Sequence, residues 1–283
     1  MLEITSIKNE KIKEVALLLE KSRLRREKGL FVVEGLREVS SCIRNGFSIE
    51  SIFFNPDTIE SAAVAAFCPD RNIFSVTPEV YGKIAYREGT EGIVAVVREK
   101  RLRLDDIILY RENTFSGEDT PSGEGMPKAS RHNPLVLVVE SVEKPGNLGA
   151  LLRTADACGV DAVLVCDPLT DLYNPNLIRA SLGGIFTQQV VACTSRQAYE
   201  WLSEQKITIF TAQLQDSRWY YDTDLIQPCA LVMGSEAKGL SQFWRDVSHA
   251  KIKIPMLGQL DSLNVSVSAA ILCYEAVRQR MTK

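Results

Sequence analysis

Three polar clusters, each following an apolar run, carry the residue types on which a reaction could be built. The first is ESVEKPGNLGALLRTADACG, Glu140–Gly159, where Asn147 stands at an N-cap position, Gly149 permits close backbone approach and Arg153 lies six residues into a helix. The second is VMGSEAKGLS, Val232–Ser241, a strand end at Gly234 followed by a glycine-bounded loop that holds Glu236. The third is IPMLGQLDSLNVSVSAAILCYEA, Ile254–Ala276, where Ser262, Leu263 and Asn264 lead into a helix with small residues along one side. In an open α/β sheet, ligands gather at the carboxyl ends of strands, and all three clusters stand there. Taken singly each has a plainer reading. Arg153 is then a surface arginine, Glu236 a solvated turn residue, Asn264 a helix cap, and the small residues a tight packing face.

Several chemistries are excluded at once. Only two histidines occur, His132 in a polar stretch and His249 after a helical segment, so Ser-His-Asp and Cys-His hydrolysis have no base. None of the seven cysteines forms a CxxC pair, which removes a structural zinc and a disulfide framework and leaves buried, reduced thiols of a cytosolic protein. No GxGxxG follows the first strand of either half and no P-loop is present, so the common nucleotide fingerprints are missing.

The elements that must position these clusters follow from hydrophobic periodicity. Asn9–Lys28 reads as a helix, Leu30–Glu34 as a strand, Gly35–Asn45 as a helix, Ile49–Phe54 as a strand, Thr58–Phe67 as a helix and Asn72–Val76 as a strand. A short helix from Pro78 and a strand over Gly92–Val97 complete a small α/β domain, 1–97. Residues 98–133 are rich in Gly, Ser and Pro and read as a linker or mobile loop. A second α/β domain, 134–283, has strands at Leu135–Val139, Ala162–Cys166, Phe186–Ala192, Ile207–Ala212, Cys229–Met233 and Lys251–Ile254. Helices at Asn147–Cys158, Asn176–Leu182, Ser195–Glu204, Leu240–Val247 and Val265–Arg280 alternate with them. That alternation predicts a mostly parallel sheet with helices on both faces.

The 283 residues suit two domains, and an apolar fraction of 45% supports sizeable cores. A net charge of −3 exerts no global pull on nucleic acid, so any such contact must be local. The cluster Lys21, Arg23, Arg25, Arg26 and Lys28 is the local exception; it reads either as a solvated helix face or as a phosphate-attracting surface. The amphipathic start lacks the apolar core of a signal peptide, and no run is apolar enough to span a membrane.

Together, the three clusters resemble the three motifs of the SpoU/TrmH family of the SPOUT superfamily. Asn147, Gly149, Arg153, Thr154 and Ala155 are similar to its N-x-G-x-x-x-R-T-A motif. Gly234, Glu236, Gly239 and Leu240 are similar to G-x-E-x-x-G-L, and the third motif matches from Ile254 through Ala270, departing mildly at Val267-Ser268. Gly29–Gly35 resembles the opening of the family's RNA substrate-binding domain, a ribosomal-protein-like fold. The resemblance implies a deep trefoil knot in the catalytic domain, a homodimer and S-adenosylmethionine as methyl donor, with no metal. It implies transfer to a ribose 2′-hydroxyl of structured RNA, most simply ribosomal RNA. A transfer-RNA target, or a catalytically silent RNA-binding assembly factor, are the alternatives.

By the same resemblance, Met233, Gly234, Gly239, Ile254, Met256 and Leu263 hold the cofactor, while Asn147, Arg153, Glu236, Ser262 and Asn264 form the catalytic rim. A guanidinium keeps its proton at physiological pH. Arg153 is therefore expected to hold a phosphate and stabilise a developing alkoxide, not to act as a base. The 2′-hydroxyl distinguishes RNA from DNA, so DNA is expected to be a poor substrate.

Overall fold

A computed structural model describes residues 2–65, 72–86, 91–109 and 133–281. The chain forms two compact units, each assembled from separate stretches: Met1–Arg101 with Val142–Asp156 and Pro168–Gln188, and Leu102–Ser141 with Ala157–Asp167 and Gln189–Lys283.

The first unit holds a mixed sheet of β1 (Leu2–Ile4), β2 (Leu30–Glu34), β3 (Ile49–Phe54), β4 (Ile73–Val76) and β5 (Ile93–Arg98), in the order β1-β4-β3-β5-β2. β5 runs antiparallel to both β2 and β3; the other pairings are parallel. The expected helix over Asn9–Lys28 is two helices, α1 (Glu10–Glu20) and α2 (Ser22–Lys28), broken at Lys21, whose φ and ψ of −107° and 102° are extended. Asn9 caps α1 through its side chain, and Ile12, Val15 and Leu18 bury its inner stripe. α3 (Leu36–Arg44), α4 (Ser61–Ala65) and α5 (Pro78–Ile84) follow, with Ala66 and Phe67 of the expected helix Thr58–Phe67 outside the described residues.

α6 (Pro145–Ala157), α7 (Pro175–Ser181) and α8 (Gly184–Thr187) also pack in this unit, apart from the final Ala157 of α6. Phe31 of β2 stacks on Tyr173 with ring centroids 4.2 Å apart, and Phe186 of α8 meets Phe47 edge-on at 5.3 Å. The Tyr173 hydroxyl donates to the Lys100 carbonyl at 2.7 Å. Phe186 and Thr187, expected to open a strand over Phe186–Ala192, belong to the helical turn α8 instead, and the strand starts at Val190. Leu182 and Gly183 both take positive φ, 49° and 93°, and reverse the chain before Phe186.

The second unit is a seven-stranded parallel sheet. Its members are β6 (Leu135–Glu140), β7 (Ala162–Cys166), β8 (Val190–Cys193), β9 (Thr208–Ala212), β10 (Arg218–Trp219), β11 (Cys229–Met233) and β12 (Ala250–Lys253). The order is β10-β12-β9-β11-β6-β7-β8. β6, β7 and β11 are buried along their whole lengths, as expected for strands covered on both faces. α9 (Ser195–Glu204), α10 (Gln242–Val247) and α11 (Val265–Met281) belong to this unit. Leu102, Leu104, Ile107 and Leu109, from the stretch read as linker, pack into its core; residues 110–132 lie outside the described ones. No described helix is long and apolar enough to cross a membrane.

Five described cysteines are buried, Cys193 is half-buried, and all six are free thiols; Cys68 lies outside the described residues. His249 is structural: its Nδ1 accepts from the Ile209 backbone N–H at 3.1 Å. His132 also lies outside the described residues.

Candidate active site

The carboxyl ends of β9, β11 and β12 open onto a cavity of about 650 Å³. Nine residues singled out from the sequence line it: Met233, Gly234, Glu236, Gly239, Ile254, Met256, Ser262, Leu263 and Asn264. The second and third clusters therefore converge. Asn147 and Arg153 lie on α6, in the other compact unit, and do not line this cavity.

The second cluster closes on itself. Ser235 N–H donates to the Gly239 carbonyl at 3.2 Å, and Gly239 N–H returns a bond to the Ser235 carbonyl at 2.9 Å. Gly239 sits at φ +65°, the left-handed region this tight reversal demands. Gly234 follows β11, where that turn begins. The requirement it meets is internal, because a Cβ there would lie 2.3 Å from the Gly239 carbonyl carbon and 2.4 Å from the Leu240 nitrogen.

Asn264 joins the second cluster to the third. Its Oδ1 accepts from the Ser266 backbone N–H at 3.0 Å, and its carbonyl accepts from the Ser268 N–H at 2.9 Å, so it caps α11. With the amide oxygen turned to the helix, the amide nitrogen is free to face outward, and it donates to Glu236 Oε1 at 2.8 Å. The plain reading of Asn264 as a helix cap is realised, and its amide in addition reaches Glu236 at the cavity. Ser262 Oγ donates to Asp261 Oδ1 at 3.1 Å.

Behind the second loop lies a buried polar network. Glu140, at the end of β6, accepts the Ser241 backbone N–H at 2.7 Å and faces the Ser195 hydroxyl at 3.2 Å. That hydroxyl also lies 2.6 Å from Asp167 Oδ2, and it accepts from Trp244 Nε1 at 3.1 Å. Buried polar groups hold position only when satisfied, and this network fixes where the loop re-enters α10. Glu140 opens the first cluster in the sequence; its place at the end of the apolar run Leu135–Val139 gives no sign of this contact.

The first cluster differs from expectation at Asn147. α6 begins at Pro145, with Lys144 in the cap position, since the Lys144 carbonyl accepts from Leu148 N–H at 3.2 Å. Asn147 is thus in the first turn. Gly149 is needed against α7, where a Cβ would lie 2.6 Å from the Leu177 carbonyl oxygen and from the Ala180 Cβ. Arg153 is exposed and makes no ion pair or side-chain hydrogen bond among the described residues.

The basic cluster divides. Arg25 is buried and paired with Asp171 at 2.6 Å, and it donates to the Leu19 carbonyl at 3.1 Å, so its charge is withdrawn from the surface. Lys21, Arg23, Arg26 and Lys28 are exposed, with Arg23 paired to Glu27 and Lys28 to Glu14. Ala212, Gln213, Leu214 and Gln215, at the end of β9, line the cavity and escaped the sequence reading. Their only signal was an apolar strand followed by a polar turn.

A cavity of this volume at the carboxyl edge of a parallel sheet, walled by glycine-rich loops, defines an α/β enzyme that takes a nucleoside-sized ligand. The comparisons agree. Residues 134–274 match the SpoU rRNA methylase family, and residues 9–95 match the MRM3-like substrate-binding domain. A solved RNA 2′-O ribose methyltransferase is 33% identical, with a TM-score of 0.77, over 99% of this chain and 100% of its own. The AdoMet complex of AviRb, a SpoU methyltransferase from Streptomyces viridochromogenes, is 25% identical with a TM-score of 0.81, over 97% of this chain and 99% of its own. A 23S rRNA (uridine(2479)-2′-O)-methyltransferase from Streptomyces viridochromogenes is 26% identical over 99% of this chain and 93% of its own. The chain belongs to the SpoU/TrmH family of RNA 2′-O-ribose methyltransferases, and its methyl donor is S-adenosylmethionine.

Proposed function

We propose that this enzyme methylates a ribose 2′-hydroxyl of ribosomal RNA, the reaction for which its 23S rRNA relative from Streptomyces viridochromogenes is named. The observation that carries the reading is the Asn264–Glu236 bond, which ties two strand-end loops into the wall of one cavity. S-adenosylmethionine, when bound, supplies an electrophilic methyl on a sulfonium. The cavity suits it: Met233 and Ile254 offer apolar surface, and the closed turn from Gly234 to Gly239 offers backbone groups. Gly239, Met256 and Leu263 complete the cofactor wall in this assignment.

Arg153 is assigned to a substrate phosphate and to the charge that develops on the 2′-oxygen, which a fixed cation stabilises without exchanging a proton. Asn147 and Ser262 are assigned to substrate positioning. Asn264 holds the Glu236 carboxylate at the rim through its amide. Residues 1–97 are assigned to RNA binding, with Lys21, Arg23, Arg26 and Lys28 as its phosphate contacts, and 134–283 to catalysis. The knotted path implied by the resemblance belongs to this proposal, as do a cytoplasmic setting and a metal-independent reaction.

A homodimer is also part of it. α11 and the loop before it expose Leu257, Leu260, Val267, Tyr274 and Met281, at 98%, 76%, 47%, 51% and 60%. A monomer rarely leaves so much apolar surface together on one element.

The test is transfer of labelled methyl to purified ribosomal RNA and to transfer RNA, with mapping of the modified ribose. Arg153→Ala should abolish turnover and leave the affinity for S-adenosylmethionine nearly intact. Methylation retained in that variant removes Arg153 from the mechanism, and label confined to transfer RNA overturns the target.

A further inference from the structure

The outer edge of the parallel sheet carries a feature that the methyl-transfer site does not use. β10 is only two residues long, Arg218 and Trp219, and among the described residues pairs on one side alone, with β12. Trp219 and Tyr221 present nearly parallel rings, 18° apart in plane with centroids 6.3 Å apart. Both are exposed, Trp219 at 39% and Tyr221 at 48%. The other two tryptophans are buried, Trp201 at 6% and Trp244 at 0%. Large aromatic rings left in water on a sheet edge invite association, and here cations accompany them. Lys253 Nζ lies 4.6 Å from the Trp219 ring centroid, and Arg218 is exposed beside it. Of the acidic neighbours, Asp224 is engaged by the Ile226 N–H at 3.0 Å, and Asp222 is exposed.

The position gives the edge a function. Trp219 is in register with Lys253 of β12, and Lys253 itself lines the cavity, followed in the chain by Ile254 and Met256. Adjacent strands lie about 4.8 Å apart, so the ring pair stands one strand beyond the cavity wall. We propose that Trp219 and Tyr221 form a stacking platform for an unpaired nucleotide of the RNA substrate, with Lys253 and Arg218 receiving its phosphates. Aromatic faces accept any base, and basic side chains beside them follow the backbone. The platform would hold the substrate strand beside the methyl donor and favour target sites flanked by an unpaired base. This inference rests on the RNA-methylation reading.

The test uses the full chain with short single-stranded oligo(A) RNA and with purified ribosomal RNA. As the one exposed tryptophan, Trp219 should lose fluorescence on titration with oligo(A), and Trp219→Phe should remove that quenching. The double variant Trp219→Ala/Tyr221→Ala should raise KM for ribosomal RNA about tenfold, the worth of one stacked base. Its kcat at saturating RNA and its affinity for S-adenosylmethionine should be unchanged, and Trp219→Phe/Tyr221→Phe should restore KM. Unchanged KM in the double alanine variant, or absence of quenching in the parent, overturns the platform while leaving methylation standing. A change in oligomeric mass on alanine substitution also overturns it and assigns the edge to a second copy of the chain. Failure of the parent to methylate ribosomal RNA at all is failure of the earlier reading, and the quenching titration is read independently of it.

Discussion

Gly234→Ala is a sensitive perturbation of the proposed cofactor wall. The new methyl would lie 2.3, 2.4 and 2.5 Å from the Gly239 carbonyl carbon, the Leu240 nitrogen and the Gly239 carbonyl oxygen. Ordinary contact begins near 3.4 Å, so backbone must move by about an ångström, and no flexible side chain can absorb it. That movement falls on the Ser235–Gly239 pair, whose two hydrogen bonds close the loop. At about 1 kcal/mol each, their loss costs about 2 kcal/mol, and residual overpacking adds roughly 1–3 kcal/mol. If only the closed loop forms the wall, 2 kcal/mol weakens S-adenosylmethionine binding by as much as about 30-fold. Isothermal titration of the variant measures this. Gly82→Ala is the control, since Gly82 lies in α5 and an added methyl meets nothing within 4 Å. An affinity for Gly234→Ala within threefold of the parent would refute the argument that loop closure shapes the site.

Further outcomes follow from contacts described above. Gly82→Ala should itself stabilise the protein by about 0.5–1 kcal/mol, read as a rise in melting temperature. Arg25→Ala strands the Asp171 carboxylate in the interior and should cost about 3–5 kcal/mol in urea denaturation, whereas Arg26→Ala should change stability little. Should the two behave alike, Arg25 is not the structural cation its burial indicates. Asn264→Ser keeps an oxygen for the α11 cap and removes the amide donor to Glu236, so methylation should fall with little loss of stability; Asn264→Ala should lose about 1 kcal/mol as well. Equal melting temperatures for the two variants would deny the cap its role. Trp244→Phe leaves the Ser195 hydroxyl without its indole donor and should destabilise by about 1–2 kcal/mol in the same denaturation assay.

Much of the second sheet was legible because its strands are buried on both faces. Ala162–Cys166 and Cys229–Met233 are continuous apolar runs, and their ends agree with the structure to the residue. The convergence of two clusters was legible because each followed a predicted strand. What escaped was decided by distant partners. Lys21 breaks a helix whose periodicity runs on without fault, and Arg25 is drawn inside by Asp171, nearly 150 positions away. β1 and β10, of three and two residues, are too short for alternation to register, and each exists through pairing with a remote strand, β4 or β12. Phe186 has strand propensity, yet the Leu182–Gly183 reversal and its aromatic neighbours override it. The Glu140 network was invisible because a glutamate closing an apolar strand looks like a solvated end.

Every described residue lining the proposed cofactor cavity falls between Ala212 and Leu272. During synthesis, therefore, the ribosome has made the chain as far as Leu272 before that lining is complete. S-adenosylmethionine cannot act as a scaffold for the nascent protein.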